Sequence, residues 1–277
     1  MNTELQKSKP IVTEDLWEDL KQFTDARIAL GRCGAAIPLA EVLKFKMAHA
    51  QARDAVHTDF DAEPIKDYFN DSSIDFLELQ SNAEDRSDYL VRPDRGRVLS
   101  PVSADMLREW KRKDRASIDF VLVISDGLSA TAMHENVIPF LKVFLPMFQL
   151  SGLNMGPAVL VKQGRVAVGD HIAELLGAKS VGILIGERPG LSSPDSMGIY
   201  LSYNARVGTT DEARNCISNV RKAGLSYCAA AQKLSYLLEQ SHLRSLSGVN
   251  LKDGMSDDYK PFSGFFEQAA EVAFLRP

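Results

Sequence analysis

Residues 118–125 are the most constraining stretch of this chain: a near-continuous apolar run through Phe120, Val121, Leu122, Val123 and Ile124 that stops at Asp126-Gly127. A strand-length run without polar alternation has to be covered on both faces, the condition of a parallel sheet lying between helices. The following sequence keeps that rhythm. A helix is expected from about Ser129 toward Phe144, then strands over 157–162, 180–185 and 198–203. Between the second and third strands, Asp170 is placed to cap a short helix that ends at Gly177. Thr209 and Glu212 stand at capping-box spacing and predict a helix through Cys216, and 224–246 predicts a long helix rich in Ala, Leu and Tyr. This alternation predicts an α/β fold, a Rossmann-like, mostly parallel sheet flanked by helices. In such sheets ligands bind beyond the carboxyl ends of the strands.

The chain changes character near residue 115. Before it the sequence is polar and helical, and the expected division is a helical N-terminal region, 1–115, and an α/β domain, 116–277. Within the first part, 39–60 predicts one long helix begun by Pro38, with Leu39, Val42, Leu43, Met47, Ala50 and Val56 as an apolar stripe. A polar stretch over 61–73 is broken by Pro64 and Asn70-Asp71, and 74–80 is a plausible short strand. Arg92-Pro93-Asp94-Arg95-Gly96-Arg97 is a basic, turn-rich cluster.

Composition excludes several classes. The 277 residues carry 32 Lys and Arg against 37 Asp and Glu, a net charge of −5, which argues against a nucleic-acid partner. Cys33, Cys216 and Cys228 support neither a disulfide framework nor a clustered zinc site, so a reducing, cytoplasmic setting is expected. No apolar run approaches the roughly 20 residues of a membrane span. Residues 15–23 form a small amphipathic pattern through Leu16, Leu20 and Phe23. That pattern fits a docking helix of the fold, or a sorting peptide for a protein-shelled bacterial microcompartment.

The familiar chemical signatures are missing. No Gly-x-Gly-x-x-Gly follows a strand and no Walker loop occurs. Ser129 sits at a strand-to-helix turn with Asp126 and His134 nearby in sequence, but outside a Gly-x-Ser-x-Gly elbow, so a capping Ser and a helix-surface His are the simpler reading. His49, Arg53 and His57 share a helix face; a cation between two His argues for a face packed on another chain or a carboxylate rather than for a metal site. The strand-end loops are more informative. Val166 in Gly164-Arg165-Val166, Glu187 after the third strand, and Cys216 can converge on one sheet edge, as a wall for a large, flat, amide-bearing ligand. The same residues also fit a plain reading, with Val166 in the core, Cys216 a small buried hydrophobe, and Glu187 paired with Arg188 or another Arg.

Several runs together carry a resemblance. Ala26-Arg27-Ile28-Ala29-Leu30-Gly31-Arg32, Ala48-His49-Ala50-Gln51-Ala52-Arg53-Asp54-Ala55-Val56-His57 and Arg92-Pro93-Asp94-Arg95-Gly96 come first. Ser125-Asp126-Gly127-Leu128-Ser129-Ala130, Gln163-Gly164-Arg165-Val166-Ala167 and Ile185-Gly186-Glu187-Arg188-Pro189-Gly190-Leu191-Ser192-Ser193-Pro194-Asp195-Ser196 follow. Arg214-Asn215-Cys216-Ile217-Ser218-Asn219 and Gly224-Leu225-Ser226-Tyr227 complete the set. In order, over about residues 16–252, they resemble the small (light) subunit of ethanolamine ammonia-lyase.

The resemblance implies a hetero-oligomer with a large, barrel-shaped subunit that holds ethanolamine. It implies adenosylcobalamin, base-on, as the radical cofactor for conversion to acetaldehyde and ammonia. Asp170-His171 before Gly177 agrees with base-on binding, since its spacing does not match the Asp-x-His-x-x-Gly motif of flavodoxin-like cobalamin domains. It implies cobalamin contacts at Val166, Glu187 and Cys216, and no catalytic or metal-ligating residue on this chain. Gly186 and Gly190 would then let backbone approach the cofactor. Residues 259–277, with Phe262, Phe265, Phe266 and Phe274, run past where the family usually stops, as a helix on the partner or a lineage-specific tail. A stand-alone α/β hydrolase or nucleotide-binding enzyme using Asp126, Ser129 and the Glu187 loop is the alternative.

Overall fold

A computed structural model describes residues 11–114 and 116–265. Six strands form one sheet: β1 (Phe76–Gln80), β2 (Phe120–Ser125), β3 (Ala158–Lys162), β4 (Ser180–Gly186), β5 (Met197–Tyr203) and β6 (Arg214–Val220), in spatial order β1-β3-β2-β4-β5-β6. The first four in that order are parallel, as expected. β5 and β6 extend the sheet antiparallel. β1 comes from the polar first part of the chain, so the sheet draws on both sides of residue 115.

The helices are α1 (Leu39–His57), α2 (Glu63–Asp71), α3 (Arg86–Val91), α4 (Pro101–Lys113), α5 (Ala130–Gln149), α6 (Val168–Leu176) and α7 (Tyr227–Arg244). On one face of the sheet, Phe120, Leu122, Ile124, Leu160, Ile199 and Leu201 pack under α5 and α7. On the other, Val121, Val123, Val159, Val161, Val181 and Ile183 pack under α4 and α6. The alternating side chains of the central strands thus feed two separate cores, which is why their run is apolar throughout.

Four sequence expectations need correction. The polar stretch 61–73 contains a helix, α2, with Pro64 in its first turn, where proline lacks a useful N–H anyway, and with Ile65 and Phe69 buried. Asp170 does not cap α6; Ala167 precedes that helix and Asp170 lies inside it, although Gly177 does close it in the left-handed conformation. The capping-box spacing at Thr209 starts no helix through Cys216: only a 3-10 turn forms, Asp211–Ala213, and Cys216 lies within β6. The amphipathic pattern at 15–23 likewise closes only into a 3-10 turn, Glu18–Phe23, with no buried residue.

The C-terminal extension packs on this chain as far as it is described. Phe262 and Phe265 are buried in the α5–α7 core, and Tyr259 donates its hydroxyl to buried Glu239 at 3.1 Å. Phe266 and Phe274 lie outside the described residues. Among the described residues no helix is long and apolar enough to cross a membrane.

Candidate functional site: a bare face on the antiparallel extension

The central parallel strands are buried on both faces, whereas the second face of β5 and β6 is covered only in part. Met197, Ile199, Leu201, Ile217 and Val220 point into the α5–α7 core. Opposite them, Tyr200 packs, partly buried, against the α4–α6 layer, and buried Ser202 and Arg214 meet Asp170 of α6. Gly198, Tyr200 and Ser202 on β5 share this strip with Arg214, Cys216 and Ser218 on β6, and of the six only Cys216 and Ser218 are exposed. Its upper end lies at the carboxyl end of β4, its lower end against α6.

Glu187 organises the upper end. One carboxylate oxygen accepts from the Ser218 hydroxyl at 2.6 Å. The other accepts from the Ser196 hydroxyl and from the Asn219 amide, the latter at 3.2 Å. A carboxylate offers about four acceptor directions, so three protein donors leave one open. These bonds tie the β4–β5 loop to the end of β6, where the β5–β6 register slips and Asn219 turns left-handed at φ 61°. Gly198 lies beneath: a Cβ there would stand 2.9 Å from Glu187 Oε1 and 3.2 Å from the Tyr200 ring.

Cys216 sits opposite Tyr200 across the ladder, exposed on the edge strand. Desolvation raises its thiol pKa, and the Glu187 charge adds to this against an opposing hydrogen bond from Tyr200. Burial, Cys216 and Glu187 likewise hold the Tyr200 phenol far above its ordinary range. Both shifts favour the protonated forms, so neither group is an activated nucleophile.

Val166 reaches the same side from the β3–α6 loop and packs, with Tyr200, on the α4–α6 layer. That loop is clamped from the Arg92–Arg97 cluster. The Arg165 amide donates to the Gly96 carbonyl at 2.7 Å, and the Arg165 guanidinium lies 4.1 Å from the Tyr89 ring centroid. Arg86 covers Tyr89 as well, at 4.8 Å. The structure thus brings Glu187 and Cys216 together through Tyr200 and Ser218, and sets Val166 on the same face. Tyr200, Ser218 and Gly198 went unnoticed in the sequence. Their signal is slight: Gly198, Tyr200 and Ser202 alternate with Ile199 and Leu201, yet Gly198 and Ser202 are themselves buried.

Other candidates resolve into architecture. Ser129 Oγ accepts from the Ala132 amide as the cap of α5 and donates to the Pro194 carbonyl at 2.8 Å. Asp126 is buried among the Gln163 and Gly127 amides, Ser125 and Arg86. His134 accepts from the Asp61 amide and stacks on Phe60. These three serve separate structural bonds and form no relay. Gly186 is required by the protein's own backbone: a Cβ would fall 2.1 Å from the Ser129 carbonyl oxygen. A Cβ on Gly190 would meet Ser193 at 2.7 Å. Glu187 bonds to hydroxyls and an amide, not to Arg188. Among the described residues no cluster of His, Cys, Asp and Glu could hold a metal ion.

Comparison with known proteins adds a family. Residues 14–252 match the family described as ethanolamine ammonia-lyase light chain. The ethanolamine ammonia-lyase small subunit of Pseudomonas fluorescens (strain Pf0-1) is 52% identical over 244 residues, 88% of this chain and 89% of that protein. The Azotobacter vinelandii small subunit is 52% identical over 241 residues, 87% of this chain and 89% of that protein.

Proposed function

This chain belongs to the ethanolamine ammonia-lyase light-chain family and is a subunit of that lyase; from that premise we propose that it pairs with the large subunit and holds adenosylcobalamin at the Glu187 end of the β5–β6 face. The observation that carries this reading is the Glu187 end of the β5–β6 face, where exposed Cys216 and Ser218 lie beside half-buried Tyr200 and the Glu187 carboxylate accepts from Ser218. A corrin ring is flat and apolar over its faces and fringed with amides, which matches a platform of Tyr200, Cys216 and Gly198 with an acceptor at one end.

Each residue has a physical part. Glu187 holds the β4–β5 loop against β6 and keeps one acceptor direction for a donor on the ligand's rim; charged acceptors make the stronger bonds. Cys216, a small side chain, keeps the middle of the strip low. Val166 gives an apolar wall. Bound adenosylcobalamin supplies the radical chemistry that turns ethanolamine into acetaldehyde and ammonia, while this chain binds, orients and shields it.

The apolar surface of the N-terminal region is where the large subunit docks. Leu16, Phe23, Leu39 and Met47 are 98, 77, 70 and 64% exposed, and α1 buries only Ala48 and Ala55 on this chain. The same docking buries the exposed His49 and His57, which otherwise face solvent. The decisive experiment is Glu187→Ala in the reconstituted two-subunit complex. Cobalamin affinity is expected to weaken by about 1–3 kcal/mol, the usual penalty for stranding buried polar partners. Unchanged affinity by spectral titration removes Glu187 from the site.

A further inference from the structure

Below the strip, where β5 and β6 meet α6, lies a cavity of about 510 Å³. Asp170 of α6 and Arg214 of β6 form its floor as an ion pair, with side chains only 2 and 4% exposed. The guanidinium is bonded at all three nitrogens. It bonds Asp170 Oδ1 and Ser202 through one terminal nitrogen, the Thr209 carbonyl at 2.7 Å through the other, and Asp211 through Nε. Asp170 is bonded at one oxygen only: its Oδ2 is buried and has no hydrogen-bond partner among the described residues. A buried carboxylate oxygen without a partner is unfavourable.

Ala167, the residue after Val166, lines the cavity, and Arg214 joins it to the β5–β6 face. Its charged groups are Asp94, Asp170 and Asp211 against Arg97 and Arg214, an excess of carboxylate. That excess disfavours a phosphate and favours a neutral hydrogen-bond donor. We propose that this cavity is a second anchoring subsite for the ligand of the β5–β6 face, taking a primary amide of a corrinoid, with Asp170 Oδ2 accepting the amide N–H. The proposal rests on the reading of that face as the corrinoid platform. Arg214 then has two tasks: it neutralises Asp170 and fixes the carboxylate so that Oδ2 faces the incoming donor.

The test uses the co-expressed two-subunit complex, freed of cofactor and titrated with hydroxocobalamin and with its monocarboxylic acid derivatives, in which one side-arm amide is a carboxylate. Asp170→Asn is expected to weaken hydroxocobalamin roughly tenfold. One monocarboxylate is expected to bind the unaltered complex poorly and to recover in Asp170→Asn, because the repelling charge is gone. Thr210→Trp, at the exposed rim of the cavity, keeps every charge, obstructs the entrance and should weaken binding similarly; it decides the question if Asp170→Asn does not assemble. Weakening by Glu187→Gln with no effect of either cavity variant overturns the subsite and leaves the platform standing. No effect of any of the three overturns both.

Discussion

Glu187 shows how one carboxylate can be both scaffold and contact. Three of its acceptor directions are spent on Ser196, Ser218 and Asn219, so its removal loosens the loop as well as the ligand site. His242 is the clearest pH reporter in the fold. Its Nε2 lies 2.9 Å from Ser180 Oγ and its ring meets Tyr203 edge-on. Burial depresses its pKa from 6.5 to about 4, with Asp119 pulling upward and Lys179 downward. Between those values the unfolded chain binds a proton that the folded chain refuses, so stability falls as pH drops from 6.5 toward 4 and is untouched by this group above 6.5. The loss attributable to His242 should reach about 3 kcal/mol across that window. Urea unfolding at stepped pH, compared with His242→Phe, measures it; parallel profiles for the two proteins would refute the assignment.

At the level of elements, the central strands were legible because both of their faces are buried, whereas β6 was not. Its Cys216 and Ser218 are exposed while Arg214, Ile217 and Val220 are buried, and so short a pattern yields to a capping-box spacing upstream. The helix α2 was hidden by Pro64, which breaks a helix interior yet suits a first turn. The cap of α5 joins two elements, since Ser129 also holds the Pro194 carbonyl of the loop that Glu187 anchors. Ser129→Ala is therefore expected to destabilise the chain by about 1–2 kcal/mol, the upper part of the range for lost caps. Denaturant unfolding gives that value, and amide exchange should quicken over 187–196. A change confined to α5, with that loop still protected, would show that the Pro194 bond does no work.

Across the whole molecule, the contrast is between a doubly covered parallel centre and two surfaces left exposed, the Cys216–Ser218 part of β6 and the N-terminal apolar segment. Leu43 and Met47 are 56 and 64% exposed on α1, an unusual position for large apolar groups unless another chain covers them. Replacing both by Glu should change the stability of the isolated chain by less than about 0.5 kcal/mol, as for ordinary surface sites. The same double variant should fail to co-elute with the large subunit on size exclusion. Normal assembly by the variant would move the docking surface elsewhere.

Local patterning was enough to specify the layered α/β centre, because burial on two faces leaves its trace in every consecutive residue from Phe120 to Ile124. It also marked Val166, Glu187 and Cys216 as side chains that strand ends and loops could gather. What it could not carry was the direction of β5 and β6, the face they share, or the Asp170–Arg214 pair at its lower end. Those depend on which chain segment pairs with the free edge of β4, and pairing is settled by groups far apart in sequence once the rest of the sheet has formed.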